Sequence, residues 1–202
     1  CDVFTVETEN IPLSALEYIS EKKIVCPNGK AIRVTQNRIN EKEFANSLGI
    51  PTVPFIEITA SNIRNINSCF FPGILKTARF GYDGKGQVKL GATSNPKEIW
   101  ESLGEIDLIL EGFVDFSHEI SVIGSRSKDG QISCFDPGEN VHKDGILRTT
   151  TVPANLTTQQ KTDAVLITAK ILESLNYIGV IGVEFFVANS TLIINAVSYT
   201  HL

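Results

Sequence analysis

Lys76 lies in the apolar run Ile74-Leu-Lys-Thr77, and soon after it the chain carries Gly81, Gly84 and Gly86 in Phe80-Gly-Tyr-Asp-Gly-Lys-Gly-Gln87. Glycine lacks a Cβ, so such a loop can bring backbone N–H groups close to an anion and fold over it. A cation on a strand beside that loop suits phosphate chemistry, which depends mostly on positioning and charge neutralisation. The loop is not a Walker A sequence, because G-x-x-x-x-G-K-[ST] is absent. On glycine spacing alone, a phosphate lid and a mobile β-turn explain the segment equally well. A lone strand lysine also fits a solvated surface charge.

Glu184 is the sharpest single residue, because it interrupts Ile178–Val187, a run otherwise made of apolar residues and glycine. A buried carboxylate there costs several kcal/mol unless a cation or strong donors meet it. Magnesium is the obvious cation. Glu111 closes the apolar run Leu108-Ile-Leu110, and Glu119 opens the next one. A carboxylate at Glu119 could accept from two vicinal hydroxyls or simply face water. His142 lies among Asn140, Lys143 and Asp144, the setting of a surface loop.

The elements that must hold these residues read as α+β with mainly antiparallel sheet. Residues 1–50 give a strand and then helix patterns at Leu13–Glu21, Asn28–Gln36 and Asn40–Leu48, the last closed by Gly49 and Pro51. Short strands follow at Phe55–Thr59, Ile74–Thr77, Val88–Leu90, Leu108–Phe113, His118–Arg126, Gln131–Phe135 and Ile146–Val152. Turn signals such as Lys128-Asp129-Gly130 separate them. An amphipathic stretch from Thr158 to Leu175 precedes two last strands, Ile178–Val187 and Leu192–Val197.

Composition narrows the partners. The 18 Lys+Arg and 23 Asp+Glu are dispersed and leave a net charge of -5, so no basic stripe for nucleic acid or a membrane surface exists. Cys1, Cys26, Cys69 and Cys134 form no C-x-x-C pair and no zinc-ligand cluster, which suits reduced thiols in a cytoplasmic protein. The chain begins just ahead of a strand and ends just after one, so both ends read as cut. Val-Ser-Tyr-Thr-His-Leu202 reads as non-native tail sequence.

Taken together, Gly-Tyr-Asp-Gly-Lys-Gly-Gln at 81–87, Glu111-Gly-Phe-Val-Asp-Phe-Ser-His-Glu119, His142-Lys-Asp-Gly-Ile-Leu-Arg-Thr149 and Gly179-Val-Ile-Gly-Val-Glu-Phe-Phe186 resemble the carboxyaminoimidazole ribonucleotide synthetase family of ATP-grasp enzymes. Glu-Asn-Ile-Pro at 9–12, Arg38, Glu41-Lys42 and Leu48-Gly-Ile-Pro-Thr52 extend the resemblance towards the start of the chain. It implies an ATP-grasp fold of two α+β subdomains over 37–197, preceded at 1–36 by the remnant of a Rossmann-like domain, with 198–202 the non-native tail. It also implies an ATP-dependent carbon–nitrogen ligase of purine biosynthesis. In such enzymes ATP phosphorylates bicarbonate to carboxyphosphate, and the amine of aminoimidazole ribonucleotide captures the activated carbon. A homodimer is typical of the family.

Carried over residue by residue, the resemblance places Lys76 and Arg38 on the nucleotide phosphates and folds Gly81, Tyr82, Asp83, Gly84, Lys85, Gly86 and Gln87 across them. It puts the backbone of Glu111, Gly112, Phe113 and Val114 at the adenine edge, Glu119 on the ribose hydroxyls, and His142 and Asn195 in the nucleotide site. Tyr82 and Asp83 also face the ribonucleotide. Arg148 serves that substrate's phosphate or bicarbonate, although a structural ion pair explains it as well. The family holds magnesium with a glutamate at position 184 and a second directly after Asn195, where this chain has Ala196.

That departure puts metal binding and turnover in question, and the expectation is that the alanine belongs to a damaged end. A three-residue loop, Asn189-Ser190-Thr191, would set position 184 opposite 196, whereas a two- or four-residue loop would set it opposite Asn195. Two alternatives stay open: another ATP-grasp ligase, such as a glycinamide ribonucleotide transformylase or a biotin carboxylase, and a catalytically dead nucleotide-binding module.

Overall fold

The computed structural model describes residues 1–6, 8–80, 86–91, 94–143 and 145–198. Strand β1 (Val3–Thr5), helix α1 (Leu13–Ser20) and strand β2 (Ile24–Cys26) open the chain. β1 and β2 pair in parallel, Phe4 against Val25, with α1 as the crossover that parallel pairing requires. The sequence reading missed β2, whose Ile-Val-Cys is too short to show a period.

Helices α2 (Gly29–Thr35) and α3 (Arg38–Ser47) follow, each started by an asparagine. Asn37 Oδ1 accepts from the amides of Ile39 and Asn40, so α3 begins at Arg38 rather than at the expected Asn40.

Strands β3 (Phe55–Ile58), β4 (Gly73–Thr77) and β5 (Gln87–Leu90), helix α4 (Pro96–Ser102) and strand β6 (Leu108–Gly112) form the first subdomain. Its antiparallel sheet runs β3-β6-β4-β5. Central β6 is covered on both faces, which is why Leu108-Ile-Leu reads as a continuous apolar run. Leu108 and Leu110 pack with Leu75, Ile58 and Trp100, while Ile109 packs with Ile39 and Ala78 on the other side. Helix α4 was not expected, though Asn95-Pro96 announces it: asparagine caps the Lys97 amide and proline fills the first turn.

The second subdomain comprises β7 (His118–Arg126), β8 (Ile132–Cys134), β9 (Gly138–Lys143), β10 (Ile146–Thr151), helix α5 (Thr158–Ser174), β11 (Gly179–Ala188) and β12 (Thr191–Ser198). Its six-stranded antiparallel sheet runs β10-β9-β7-β11-β12, with β8 on β7. Ile120 and Val122 of β7 and Ile181, Val183 and Phe185 of β11 point to one face, where Ala164, Ile171 and Leu172 of α5 cover them. A Cβ at Gly124 would lie 2.8 Å from Thr168 Cγ2, so the glycine permits the close approach of α5. Strand β9 carries His142 and corrects the surface-loop alternative for that residue.

The last hairpin departs from expectation in an instructive way. Its loop has two residues, Asn189 and Ser190, both at positive φ, and Ala188 pairs with Thr191. Continued without interruption, that register would place Glu184 opposite Asn195. A shift between Glu184 and Phe185 leaves Asn195 as an extra residue in β12, and Glu184 pairs with Ala196 after all. The three-residue loop was wrong, and the pairing it was invoked to give is right.

Candidate active site

A cleft of about 490 Å³ opens between the two sheets. From the first subdomain, Lys76 on β4 reaches it with its ammonium group against Glu111 of β6, Nζ to Oε2 2.5 Å. The other oxygen of Glu111 lies 3.1 Å from Nζ of Lys42 on α3, a lysine whose side chain is 1% exposed. Burial works against ionisation of Glu111, but the Lys76 and Lys42 ammonium groups outweigh it and hold the carboxyl below its ordinary range. Burial lowers Lys76, and the neighbouring Arg38 and Lys42 charges add to that, against the opposing pull of Glu111.

The junction of α2 and α3 closes one end of the cleft. The Arg38 amide donates to the Ala78 carbonyl at 2.9 Å, and Arg79 donates to Gln36 Oε1. Both arrangements hold the start of α3 against the end of β4. Glu41, one turn into α3, is buried and lines the cleft. Burial pushes its carboxyl up to about 7 against the pull of Lys42, Arg38 and the Val197 amide.

From the second subdomain, Glu119 of β7 and His142 of β9 meet with Oε2 and Nδ1 3.1 Å apart, near enough for an ion pair but without hydrogen-bond alignment. Burial raises the Glu119 carboxyl, while His142 and then Lys76 pull it down. Phe186 of β11 lines the cleft and stacks on Phe116, ring centroids 4.3 Å apart. Glu184, Asn195 and Ala196 line the same wall. Lys76 enters the cleft from the first sheet and Arg38 from α3, Glu119 and Glu184 face them from the second sheet, and aromatic rings lie at the side, an arrangement suited to a charged ligand with a flat ring.

Residues 43–201 match the family model described as the ATP-grasp domain. The chain belongs to the ATP-grasp family. An N5-carboxyaminoimidazole ribonucleotide synthase of Brucella melitensis is 42% identical over 199 residues, covering 96% of this chain and 55% of that protein. Among solved structures, N5-carboxyaminoimidazole synthetase from Staphylococcus aureus complexed with ADP is similar with a TM-score of 0.89 at 33% identity, over 98% of this chain and 53% of that one. The Aspergillus clavatus synthase in complex with ADP and 5-aminoimidazole ribonucleotide gives a TM-score of 0.87 at 26% identity, over 98% and 53%. The chain thus spans about half the length of the curated relatives it matches.

Within this ATP-grasp chain, Arg38, Lys76, Gly86, Gln87, Phe113, Glu119, His142, Glu184 and Asn195 all line the cleft. Gly81, Tyr82, Asp83, Gly84 and Lys85 lie outside the described residues. Gly86 sits at φ +72, and a Cβ there would come 2.8 Å from Thr77 Oγ1, so this position needs glycine. The adenine-edge expectation for 111–114 needs revision in part. The amides of Gly112 and Phe113 donate to the Pro54 and Pro72 carbonyls, and among the described residues no hydrogen bond takes up the Val114 amide, although of these four residues only Phe113 lines the cleft. Glu111 contributes a buried side chain to the lysine pair, a role the apolar run before it did not announce.

Arg148 is exposed and is not among the residues lining the cleft. The register of β10 skips it between Leu147 and Thr149, and Leu147 faces the cleft instead. Lys42 was missed altogether as a site residue; its signal is a lysine on the apolar-facing side of α3, beside Ile39 and Ala45.

Magnesium can be tested against the residues present. Glu184 faces Ala196 across the hairpin, and among the described residues no group of three His, Cys, Asp or Glu side chains could hold a metal. Among the described residues there is therefore no protein-only cage. Magnesium usually takes one or two carboxylates and completes its shell with water and substrate phosphates, so the Glu184 carboxylate with the Asn195 side-chain oxygen fits an ion that arrives with a nucleotide.

Proposed function

We propose that this chain carries the nucleotide-binding and phosphoryl-transfer centre of an ATP- and bicarbonate-dependent ligase. Its reaction would convert 5-aminoimidazole ribonucleotide to the N-carboxy derivative in purine biosynthesis. The observation that carries the reading is the meeting of Lys76 and Arg38 with Glu119, His142 and Glu184 in one cleft between the two sheets. Relatives that bear the name of that synthase over nearly the whole chain support it.

In this reading Lys76 and Arg38 neutralise the phosphates, and Glu119 accepts from the ribose hydroxyls. The amide of Val114 serves the adenine edge. Bicarbonate oxygen attacks the γ-phosphorus as ADP leaves, and the substrate amine then displaces phosphate from the activated carbon. The chain contributes orientation and charge stabilisation. When bound, magnesium would add Lewis-acid charge neutralisation, held by Glu184 and Asn195. Tyr82 and Asp83 as ribonucleotide contacts, a homodimer, a cytoplasmic site of action and the assignment of 1–36 to a separate remnant belong to the same proposal.

Calorimetry of ATP binding to the chain tests the first half; micromolar to millimolar affinity that falls at least tenfold in Lys76→Ala is expected. Release of ADP that depends on both bicarbonate and the ribonucleotide, in the chain extended to its relatives' length, tests the second. Full ATP affinity in Lys76→Ala would overturn the assignment of the cleft.

A further inference from the structure

Glu111 gives one carboxylate oxygen to each of two lysines, 3.1 Å from Lys42 and 2.5 Å from Lys76. A Lys76–Glu111 pair by itself would be neutral and would offer a polyphosphate little net attraction. Lys42 alters that balance, because two ammonium groups against one carboxylate leave a surplus positive charge. Relative exposure decides where the surplus is felt: the side chains of Lys42, Glu111 and Lys76 are 1%, 5% and 13% exposed. Of these, only Lys76 lines the cleft.

The same Lys42 ammonium lies 3.4 Å from the carbonyl of Asn195, the bulged residue of β12. It therefore touches the first sheet through Glu111 and the second through the strand that carries Asn195 and Ala196. A buried lysine with no such partners would cost several kcal/mol, so its place has to be explained by what it holds.

We propose, resting on the nucleotide reading above, that Lys42 is a positioning residue for Lys76. It neutralises Glu111 from behind, so that Lys76 keeps a net charge for the ligand's phosphates, and it holds the Asn195 bulge in register with that lysine. Lys42 itself stays out of the cleft and touches no ligand.

Lys42→Met keeps the aliphatic stem and removes the charge. ADP and ATP affinity should fall about tenfold or more, because Glu111 then cancels Lys76. Adding Glu111→Gln removes the remaining carboxylate, and the Lys42→Met/Glu111→Gln chain should bind nucleotide more tightly than Lys42→Met alone. A purely structural role predicts the opposite order, with the double variant weaker still. Should Lys42→Met fail to fold, the double variant, which buries no unpaired charge at these two positions, still reads the proposal against wild type.

A second readout needs no nucleotide. Acylation of the Lys76 amine, followed by peptide mass spectrometry across pH, should slow in Lys42→Met, since Lys76 then has Glu111 to itself and holds its proton longer. A loosened fold would speed acylation instead. Wild-type nucleotide affinity in Lys42→Met, a double variant no tighter than the single, or unchanged or faster Lys76 acylation would each overturn the proposal. If the wild-type chain binds no nucleotide, the proposed function falls, and the acylation profile still decides whether Lys42 sets the charge of Lys76.

Discussion

Glu119 Oε2 lies 3.1 Å from His142 Nδ1, although the register of β7 and β9 pairs Glu119 with Asn140. The contact is diagonal, between residues on the same face of neighbouring strands, within reach of a glutamate and an imidazole. His142 thus meets one oxygen of the Glu119 carboxylate, and both residues line the cleft. Glu119→Gln should weaken ATP binding about tenfold, near 1.4 kcal/mol, and should abolish any preference for ATP over 2′-deoxyATP. Competition binding of the two nucleotides measures this, and an undiminished preference in the variant would remove Glu119 from the ribose site.

Glu184 and Glu119 were legible as candidates because each broke an apolar pattern, within β11 and at the start of β7, whereas Glu111 was read only for its backbone and not for its carboxylate. Their partners were not legible. Lys42 shares a face of α3 with Ile39 and Ala45, but its burial and its partners emerge only once α3 is packed against β6 and β12, since they depend on tertiary neighbours the local sequence does not name. Strand β9 was missed because Gly138-Glu-Asn-Val-His-Lys143 is mostly polar and gains its pairing from β7 and β10. The β11–β12 pairing shows the same limit: turn chemistry at Asn189-Ser190 could be read locally, whereas the bulge at Asn195 could not.

Glu41 makes the stability of the fold depend on pH. Its carboxyl is pushed from 4.5 to about 7 by burial, so between those values the folded chain holds a proton that the unfolded chain has lost. The contribution is therefore favourable at low pH and is lost as pH rises towards and through 7. The shift corresponds to about 3 kcal/mol between the limits. Glu41→Gln, which retains an acceptor for the Val197 amide, should gain stability relative to wild type from pH 5 to pH 8. Urea unfolding of both proteins at several pH values gives the difference; a constant difference would mean that Glu41 is ionised in the fold throughout.

The two ends of the Lys76–Glu111 pair should behave differently. Lys76→Ala leaves Glu111 its bond to Lys42, so the chain should fold with a loss of roughly 1–2 kcal/mol while nucleotide affinity drops. Glu111→Gln leaves both lysines without their shared anion and should cost about 3–5 kcal/mol. Chemical denaturation beside nucleotide titration separates the outcomes, and equal stability losses in the two variants would contradict the geometry of the pair.

Ala196 stands opposite Glu184 because a two-residue turn and one bulge combine to put it there. Side chains at positions paired in this way lie close enough to share an ion. Ala196→Glu should therefore supply a second carboxylate at the cleft wall without moving the hairpin, since position 196 is only half-buried and lines the cleft. Two carboxylates in contact repel, so the variant should lose stability when magnesium is absent and recover it when magnesium and ADP are both added. Its nucleotide affinity should become more steeply dependent on magnesium than that of the wild type, by roughly tenfold between metal-free and saturating conditions. Magnesium titrations of ADP binding to both chains measure the change. An unaltered magnesium dependence, with the variant folded, would mean that the face shared by positions 184 and 196 is not where the metal sits.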